Sequence, residues 1–475
     1  MADFGEFAST AAKLAADHLD AVAGSDRPVY RPVPPADRDW LVGQPLPSTG
    51  RPLAELLDDV ASRVMAYPMG NGHRRFFGWV NSPPSPAGVV MAPLAAALNP
   101  SCAGGEHAGA LLERTVLRWL AELVGYPGDG LLTSGASMAT IVALAAARHR
   151  AAAADGWDIR EDGLTGHPPF LLYASAEGHS CLRKAAELLG MGRRGVRTVP
   201  VDREYRMVPG ALAEMIERDL AEGLRPFCIA ASAGTVNTGA VDPLHDIADV
   251  SQSHGLWLHV DGAYGALGVL ASDPAPGYAG LPRADSLALD PHKWLGVPVD
   301  CGCLLLREPD EARRAFSLVP SYLNDPDADE FGWFAEYGPE QTRPFRALRA
   351  WATISHLGRD GIVRLVRRAV GLADGLAGLV GEAEDFELLA QPVTSIVAFR
   401  YRPPAVEDTE WLNRDLPSAV NARGRVFFTG TRLADAAALR ACILHPDTTR
   451  EDLELLLAEI RVTAHHLLST HHARR

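Results

Sequence analysis

Asp285-Ser286-Leu287-Ala288-Leu289-Asp290-Pro291-His292-Lys293-Trp294 is the stretch on which the fold turns. It opens as an apolar strand, and Pro291 then prevents regular strand continuation and helps fix the turn that presents Lys293. Upstream, Leu258-His259-Val260-Asp261-Gly262-Ala263-Tyr264 ends a second apolar strand on Asp261. Open α/β sheets bind ligands at the carboxyl edge of their strands. Alone, Lys293 would be a surface loop lysine and Asp261 a strand-end cap. Together they are an amine that condenses with an aldehyde and a carboxylate that keeps a pyridine nitrogen protonated. That is what pyridoxal phosphate (PLP) requires of a protein. Trp294 and Leu295 after the lysine argue against its free exposure, and a partly desolvated lysine is a competent neutral nucleophile.

Working outward, Phe170–Ser175, Val196–Val201, Phe227–Ala231, Trp257–Val260, Ser286–Leu289 and Gly302–Leu306 have the pattern of strands. Helical patterns separate them at Ser180–Leu189, Pro209–Glu222 and Pro243–His254. This alternation predicts an α/β fold with a mostly parallel sheet covered on both faces. Glu113–Val124 and the Ala-rich Ala136–Ala154 precede it as helices. Phe4–Val22 spaces Phe7, Ala11, Leu14 and Leu19 as an amphipathic helix. The Pro-rich Ser25–Pro52 is expected to be extended, with a helix at Leu53–Met65. Ser321–Pro344, acidic, aromatic and rich in Gly and Pro, is a candidate lid. Helices at Leu348–Leu357 and Gly361–Val380 lead into strands at Ser395–Tyr401 and Ala438–Leu444 and a helix at Arg450–Leu467, a small α+β portion. The expected division is 1–86 (N-terminal helical and extended segment), 87–346 (large cofactor-binding domain) and 347–475 (small C-terminal domain).

Gly130–Thr140 opens the Ala-rich helix with small residues. There backbone N–H groups can approach an anion and the helix terminus adds a favourable field. The cofactor phosphate is assigned to it, with Ser137 as hydroxyl donor. His179, just past Phe170–Ser175, is placed where an imidazole could stack on a flat ring.

With 45 basic and 59 acidic residues the formal charge is −14, so no global basic field draws nucleic acid or anionic lipid. No apolar run approaches a bilayer's thickness, and Met1–Ala23 lacks the features of a signal peptide. Six sparse cysteines fit reduced thiols in a cytoplasmic protein, and no metal site is expected.

The order of these segments, with Gly234-Thr235-Val236-Asn237-Thr238-Gly239-Ala240-Val241-Asp242-Pro243 between them, resembles the group II PLP-dependent amino-acid decarboxylases, most closely the aromatic-L-amino-acid branch. The resemblance runs from about His73 to the C-terminus. It implies the fold type I, aspartate aminotransferase-like architecture and decarboxylation of an L-amino acid, or a metabolite containing one, to the amine and CO2. Lys293 would carry the internal aldimine, Asp261 would pair with the ring nitrogen, and His179 would stack on the ring. Ala136 and Ser137 would bind phosphate with His292 beside it, and Ala263 would underlie the ring. Asp290 fills a slot where animal members often have Asn. Tyr322 matches a mobile-loop tyrosine tied to returning a proton after CO2 leaves; relatives with Phe there tend toward aldehydes. Arg343 and Arg346 match an Arg-rich entry to the following helix, with Arg343 expected near the substrate. The family's N-terminal segment embraces a second subunit, implying a homodimer.

Departures from the pattern bear on the substrate. Val236 replaces the second Thr of the usual Gly-Thr-Thr, Met138 replaces a more polar residue, and Gly104-Gly105-Glu106-His107-Ala108-Gly109 replaces a Ser-Pro-rich stretch. Trp79, Val80, Asn81 and Ser82 are the pocket candidates. On the same scaffold the alternatives are decarboxylation-coupled oxidative deamination to an aldehyde and β-elimination of a cysteine conjugate, because a fold does not fix a reaction.

Overall fold

The computed structural model describes residues 4–24, 27–272, 274–318, 332–404 and 406–474. Its strands, in chain order, are β1 (Phe76–Phe77), β2 (Asp129–Thr133), β3 (Phe170–Ser175), β4 (Val196–Val199), β5 (Arg225–Ser232), β6 (Trp257–Asp261), β7 (Ser286–Leu289), β8 (Gly302–Leu306), β9 (Phe386–Leu388), β10 (Ile396–Tyr401), β11 (Phe427–Leu433) and β12 (Ala436–Cys442). The chain divides into two compact units, one of residues 84–371 with 390–396 and one of residues 1–83, 372–389 and 397–475.

The larger unit holds a seven-stranded sheet of order β2-β8-β7-β6-β5-β3-β4. β4, β3, β5, β6 and β7 pair in parallel, and β8 runs against both β7 and β2. Strands β3, β6, β7 and β8 are buried at every residue, as expected where helices cover both faces of a parallel sheet. Register then decides where the chemistry falls. Ser232 pairs with Asp261 and Asp261 with Ala288, so the carboxyl ends of β5, β6 and β7 lie at one edge. β2 ends at that edge too, and Thr133 pairs with Gly302. The next residues, Ser134 and Gly135, lead into the Ala136–Ala154 helix. A Cβ on Gly302 would come within 2.4 Å of the Gly135 Cα. Glycine is therefore required where β8 passes the helix entry.

In the smaller unit the sheet order is β1-β11-β12-β10-β9. β1 is parallel to β11, and β11 is antiparallel to β12. Its core gathers Phe77, Phe399, Phe428, Leu439, Leu453 and Ile460. Ser25–Pro52 is not extended throughout, because a helix spans Pro35–Gly43. Its start on Pro35 is reasonable, since proline's fixed φ suits the first turn and its missing N–H is not needed there. The Phe4–Ala23, Pro35–Gly43 and Leu53–Asp59 helices contain no buried residue.

The two helices expected after Arg346 form Arg346–Gly381, broken at Gly358, whose φ of 62° leaves the helical region. The beginning of the expected lid, including Tyr322, lies outside the described residues.

Candidate active site

Leu289, the last residue of β7, gives way to a tight turn. The Lys293 N–H donates to the Asp290 carbonyl at 2.9 Å, and the Val297 N–H to Pro291 at 3.1 Å. Trp294 is buried and stacks on Tyr264, with ring centroids 4.9 Å apart and planes 16° from parallel. That anchor holds Lys293 partly sheltered, its side chain 25% exposed. The Lys293 Nζ lies 3.1 Å from Asp290 Oδ2, and Asp290 Oδ1 accepts the Ala136 N–H at 2.7 Å. His292 Nδ1 accepts the Cys301 N–H at 3.1 Å. Burial holds the His292 pKa below its ordinary value, against the upward pull of Asp290.

Asp261 ends the neighbouring strand. Its Oδ1 accepts the Ala263 N–H at 3.2 Å, and Cys181 Sγ lies 3.9 Å from Oδ2. His179 follows β3 and receives the Cys181 N–H on Nδ1 at 3.2 Å, which fixes the ring's orientation while one side stays open. His179, Cys181 and Asp261 bring their heteroatoms within 4.8 Å of one another. The walls of the cleft lower the His179 pKa by burial; Asp261 and Asp290 pull it up, and Lys293 pushes it down. The amine, both carboxylates and the imidazole are therefore close enough for the first three to act on the charge of the last. Ala136 and Ser137 form the first turn of the adjacent helix, with Ser137 exposed.

This donor set fits PLP. A half-sheltered amine suits the aldehyde, a nearly buried carboxylate the ring nitrogen, and an open imidazole face the ring. A helix N-terminus bearing an exposed hydroxyl suits the phosphate.

Trp79, Val80, Asn81 and Ser82 belong to the smaller unit. There Trp79 packs with Phe76 and Phe427 at centroid distances of 5.9 and 5.2 Å, and the Ser82 carbonyl accepts Asn71 Nδ2 at 2.9 Å. Arg343, expected near the substrate, is instead in the interior at 1% exposure. Its guanidinium donates to both Glu113 oxygens and to the Cys102 and Leu132 carbonyls. The Leu132 N–H donates to Glu113 in turn at 2.9 Å. The pair thus brackets the backbone N–H and carbonyl of one β2 residue, Leu132, next to the phosphate loop. Arg346 is likewise engaged, with Glu340 at 2.9 Å and Asp300 at 3.1 Å. Sequence reasoning overlooked Cys181, Thr140 and His259. For His259 the one signal is its place among alternate polar residues of an otherwise apolar β6.

Residues 35–402 match the family model described as the pyridoxal-dependent decarboxylase conserved domain. The chain is 32% identical over 470 residues to an aromatic-L-amino-acid decarboxylase of Bacillus atrophaeus, covering 96% of this chain and 94% of that one. It is 31% identical to an acidic amino acid decarboxylase of Homo sapiens, over 90% of this chain and 84% of the relative. Among solved structures, TDC of Oryza sativa with PLP and tryptamine superposes with a TM-score of 0.90 at 26% identity, covering 98% of each chain. The chain belongs to the pyridoxal-dependent decarboxylases. It has the fold type I architecture, uses PLP and removes CO2 from an amino acid.

Proposed function

We propose that Lys293, Asp261, His179 and Tyr322 carry out this decarboxylation, with Ala136, Ser137, Ala263, Asp290 and His292 completing the cofactor site. The observation that carries the reading is the placement of Lys293 and Asp261 just beyond and at the ends of adjacent parallel strands, with Asp261 in register with Ala288. PLP, when bound, supplies an aldehyde for covalent capture of amino groups and a cationic ring that accepts the electron pair of the broken Cα–carboxylate bond. Lys293 would hold the aldehyde through its amine and release it when the substrate's amino group takes its place. Asp261 holds the proton on the ring nitrogen, a preorganised charge facing the place where negative charge develops. His179 would stack on the ring, and Ser137 with the helix N-terminus would hold the phosphate. Tyr322 returns a proton to Cα.

The substrate is an L-amino acid, and we assign recognition of its side chain to Trp79, Val80, Asn81 and Ser82. Two further readings belong to the same proposal. The active form is a homodimer, because Val42 and Leu46 are 80% and 94% exposed in an N-terminal segment whose helices bury nothing, and residues 1–86 embrace the second copy. The compartment is the cytoplasm, because all six cysteines are free thiols. No described helix is long and apolar enough to cross a membrane.

The deciding experiment incubates holoenzyme with a panel of amino acids and thioether-conjugated cysteines and weighs the products. Amine plus CO2 is expected. Aldehyde with ammonia and peroxide, or thiol with pyruvate, would transfer the chain to another PLP chemistry.

A further inference from the structure

Trp257, His259 and Asp261 alternate along β6, so their side chains share one face of the strand while Leu258 and Val260 take the other. That face is closed to water, with His259 fully buried, yet every polar atom on it is paired. Trp257 Nε1 donates to Ser286 Oγ at 2.8 Å. Ser286 Oγ lies 2.9 Å from His259 Nδ1, and His259 Nε2 lies 3.3 Å from Thr140 Oγ1. Cys181 Sγ stands 4.0 Å from Thr140 Oγ1 and 3.9 Å from Asp261 Oδ2. Four elements contribute: β6, β7, the Ala136–Ala154 helix and the Cys181–Leu188 helix. At the far end, the Arg150 guanidinium sits 4.4 Å over the Trp257 ring.

One proton arrangement that satisfies these partners runs outward from the indole. An indole N–H can only donate, so Ser286 accepts from it and passes its own hydrogen to His259 Nδ1. Burial lowers His259 to about 4, against a small upward pull from Asp261. The ring is therefore neutral and carries its hydrogen on Nε2, facing Thr140. In this arrangement the Thr140 hydroxyl, which can also accept from the Cys181 thiol, turns its hydrogen toward the sulfur. Burial raises Cys181 to about 12, so the thiol keeps its hydrogen and offers it to the carboxylate, the stronger acceptor. Dipoles aligned in this way reinforce one another in a dry interior.

We propose that Trp257, Ser286, His259, Thr140 and Cys181 form a directed hydrogen-bond relay that positions Asp261 and favours its anion, strengthening its hold on the proton at the cofactor's ring nitrogen. The proposal rests on the assignment of Asp261 to that nitrogen. His179, Lys293 and Asp290 are the other charged or titratable groups acting on this corner, and they approach from the cleft. The relay residues meet neither substrate nor reacting atoms; they are positioning residues.

The test uses holoenzyme reconstituted with 15N-labelled PLP and follows the ring-nitrogen resonance against pH. Thr140→Val is nearly isosteric and cuts the relay at its centre; Cys181→Ala removes its last donor. Each is expected to make the ring nitrogen lose its proton about tenfold more readily, a midpoint about one pH unit lower. Each should lower kcat with KM nearly unchanged. The double variant should be no worse than either single one, because both interrupt one chain, whereas independent packing defects would add. Thr140→Ser, which keeps the hydroxyl, should restore the parent resonance. An unmoved resonance in both single variants, or additive effects, overturns the relay. Asp261→Asn separates the two claims: if it too leaves the resonance unmoved, the assignment of Asp261 itself fails.

Discussion

Asp290 joins Lys293 to the entry of the phosphate helix. One of its carboxylate oxygens lies 3.1 Å from the lysine nitrogen, and the other accepts the Ala136 N–H at 2.7 Å. At 4% side-chain exposure this carboxylate has little water to fall back on, and the two partners it serves come from the turn after β7 and from the start of the Ala136–Ala154 helix. Asp290→Asn keeps an acceptor for Ala136 while losing the charge opposite Lys293. Asp290→Ala loses both and strands a buried N–H, at a cost of about 1–3 kcal/mol. Urea unfolding of the apoenzymes should rank them parent, Asn, Ala in falling stability. A PLP titration should show the same order of affinity.

The anchoring role of Lys293 makes a sharper prediction. Lys293→Ala removes the amine and leaves the turn held by Pro291 and by the Trp294–Tyr264 stack. The variant should fold, fail to trap PLP on borohydride reduction, and lose at least about 10⁴-fold in turnover, the scale seen when a covalent catalyst is removed. Mass spectrometry of the reduced holoenzyme checks the attachment directly. A retained adduct elsewhere in the chain would remove Lys293 from the mechanism.

How far the sequence could be trusted varied with the range of the interactions involved. Asp261 and Lys293 were legible because each follows an apolar run, and in a parallel sheet such runs end at a common edge. β2 was not recognised as a strand. It is five residues long and contains Gly130, where a Cβ would press on the Leu304 carbonyl, so packing against β8 makes it a strand and local propensity does not. Arg343 was misplaced for a related reason. Its partner Glu113 lies 230 positions away, and nothing local marks an arginine as buried. The polar face of β6 was in view all along as alternate residues, but only tertiary neighbours from three other elements show what it bonds.

The Glu113–Arg343 pair should therefore report on stability rather than on substrate affinity. Arg343→Met leaves Glu113 buried without its counter-charge and should cost about 3–5 kcal/mol. Adding Glu113→Gln removes the stranded charge and should recover part of the loss. At temperatures where the single variant remains folded, its KM should match the parent's. A KM raised tenfold with unfolding unchanged would return Arg343 to the substrate.

Tyr322 is assigned to return a proton to Cα after CO2 departs. Tyr322→Phe removes the O–H and little else, so the electron pair left at Cα persists longer and meets dissolved O2. Cα is then oxidised to the aldehyde carbon while O2 is reduced to H2O2, with water consumed and ammonia released. Amine formation should fall by about 10²-fold or more, the usual worth of a positioned acid, with aldehyde and peroxide appearing in equal amounts. Oxygen uptake and product mass, measured together, check the balance. Amine yield unchanged in the variant would assign the proton to another residue.

His259 ties the site to acid stability. Its pKa falls from the ordinary 6.5 to about 4 because it is buried in the sheet. Between those values the unfolded chain takes up a proton that the folded chain refuses. Stability thus rises with pH across that window and is lost as pH falls from 6.5 toward 4. The difference amounts to roughly 3 kcal/mol at the acid end. His73, buried in the smaller unit and lowered to about 4 chiefly by desolvation, acts with the same sign, so the parent should show a steep combined loss. His259→Asn cannot titrate and should flatten the part of that slope contributed by the larger unit, while costing stability at neutral pH by breaking the bonds to Ser286 and Thr140. Unfolding followed by tryptophan fluorescence at pH 7, 6, 5 and 4 measures both effects. A slope identical to the parent's would mean that His259 already carries its charge in the folded protein.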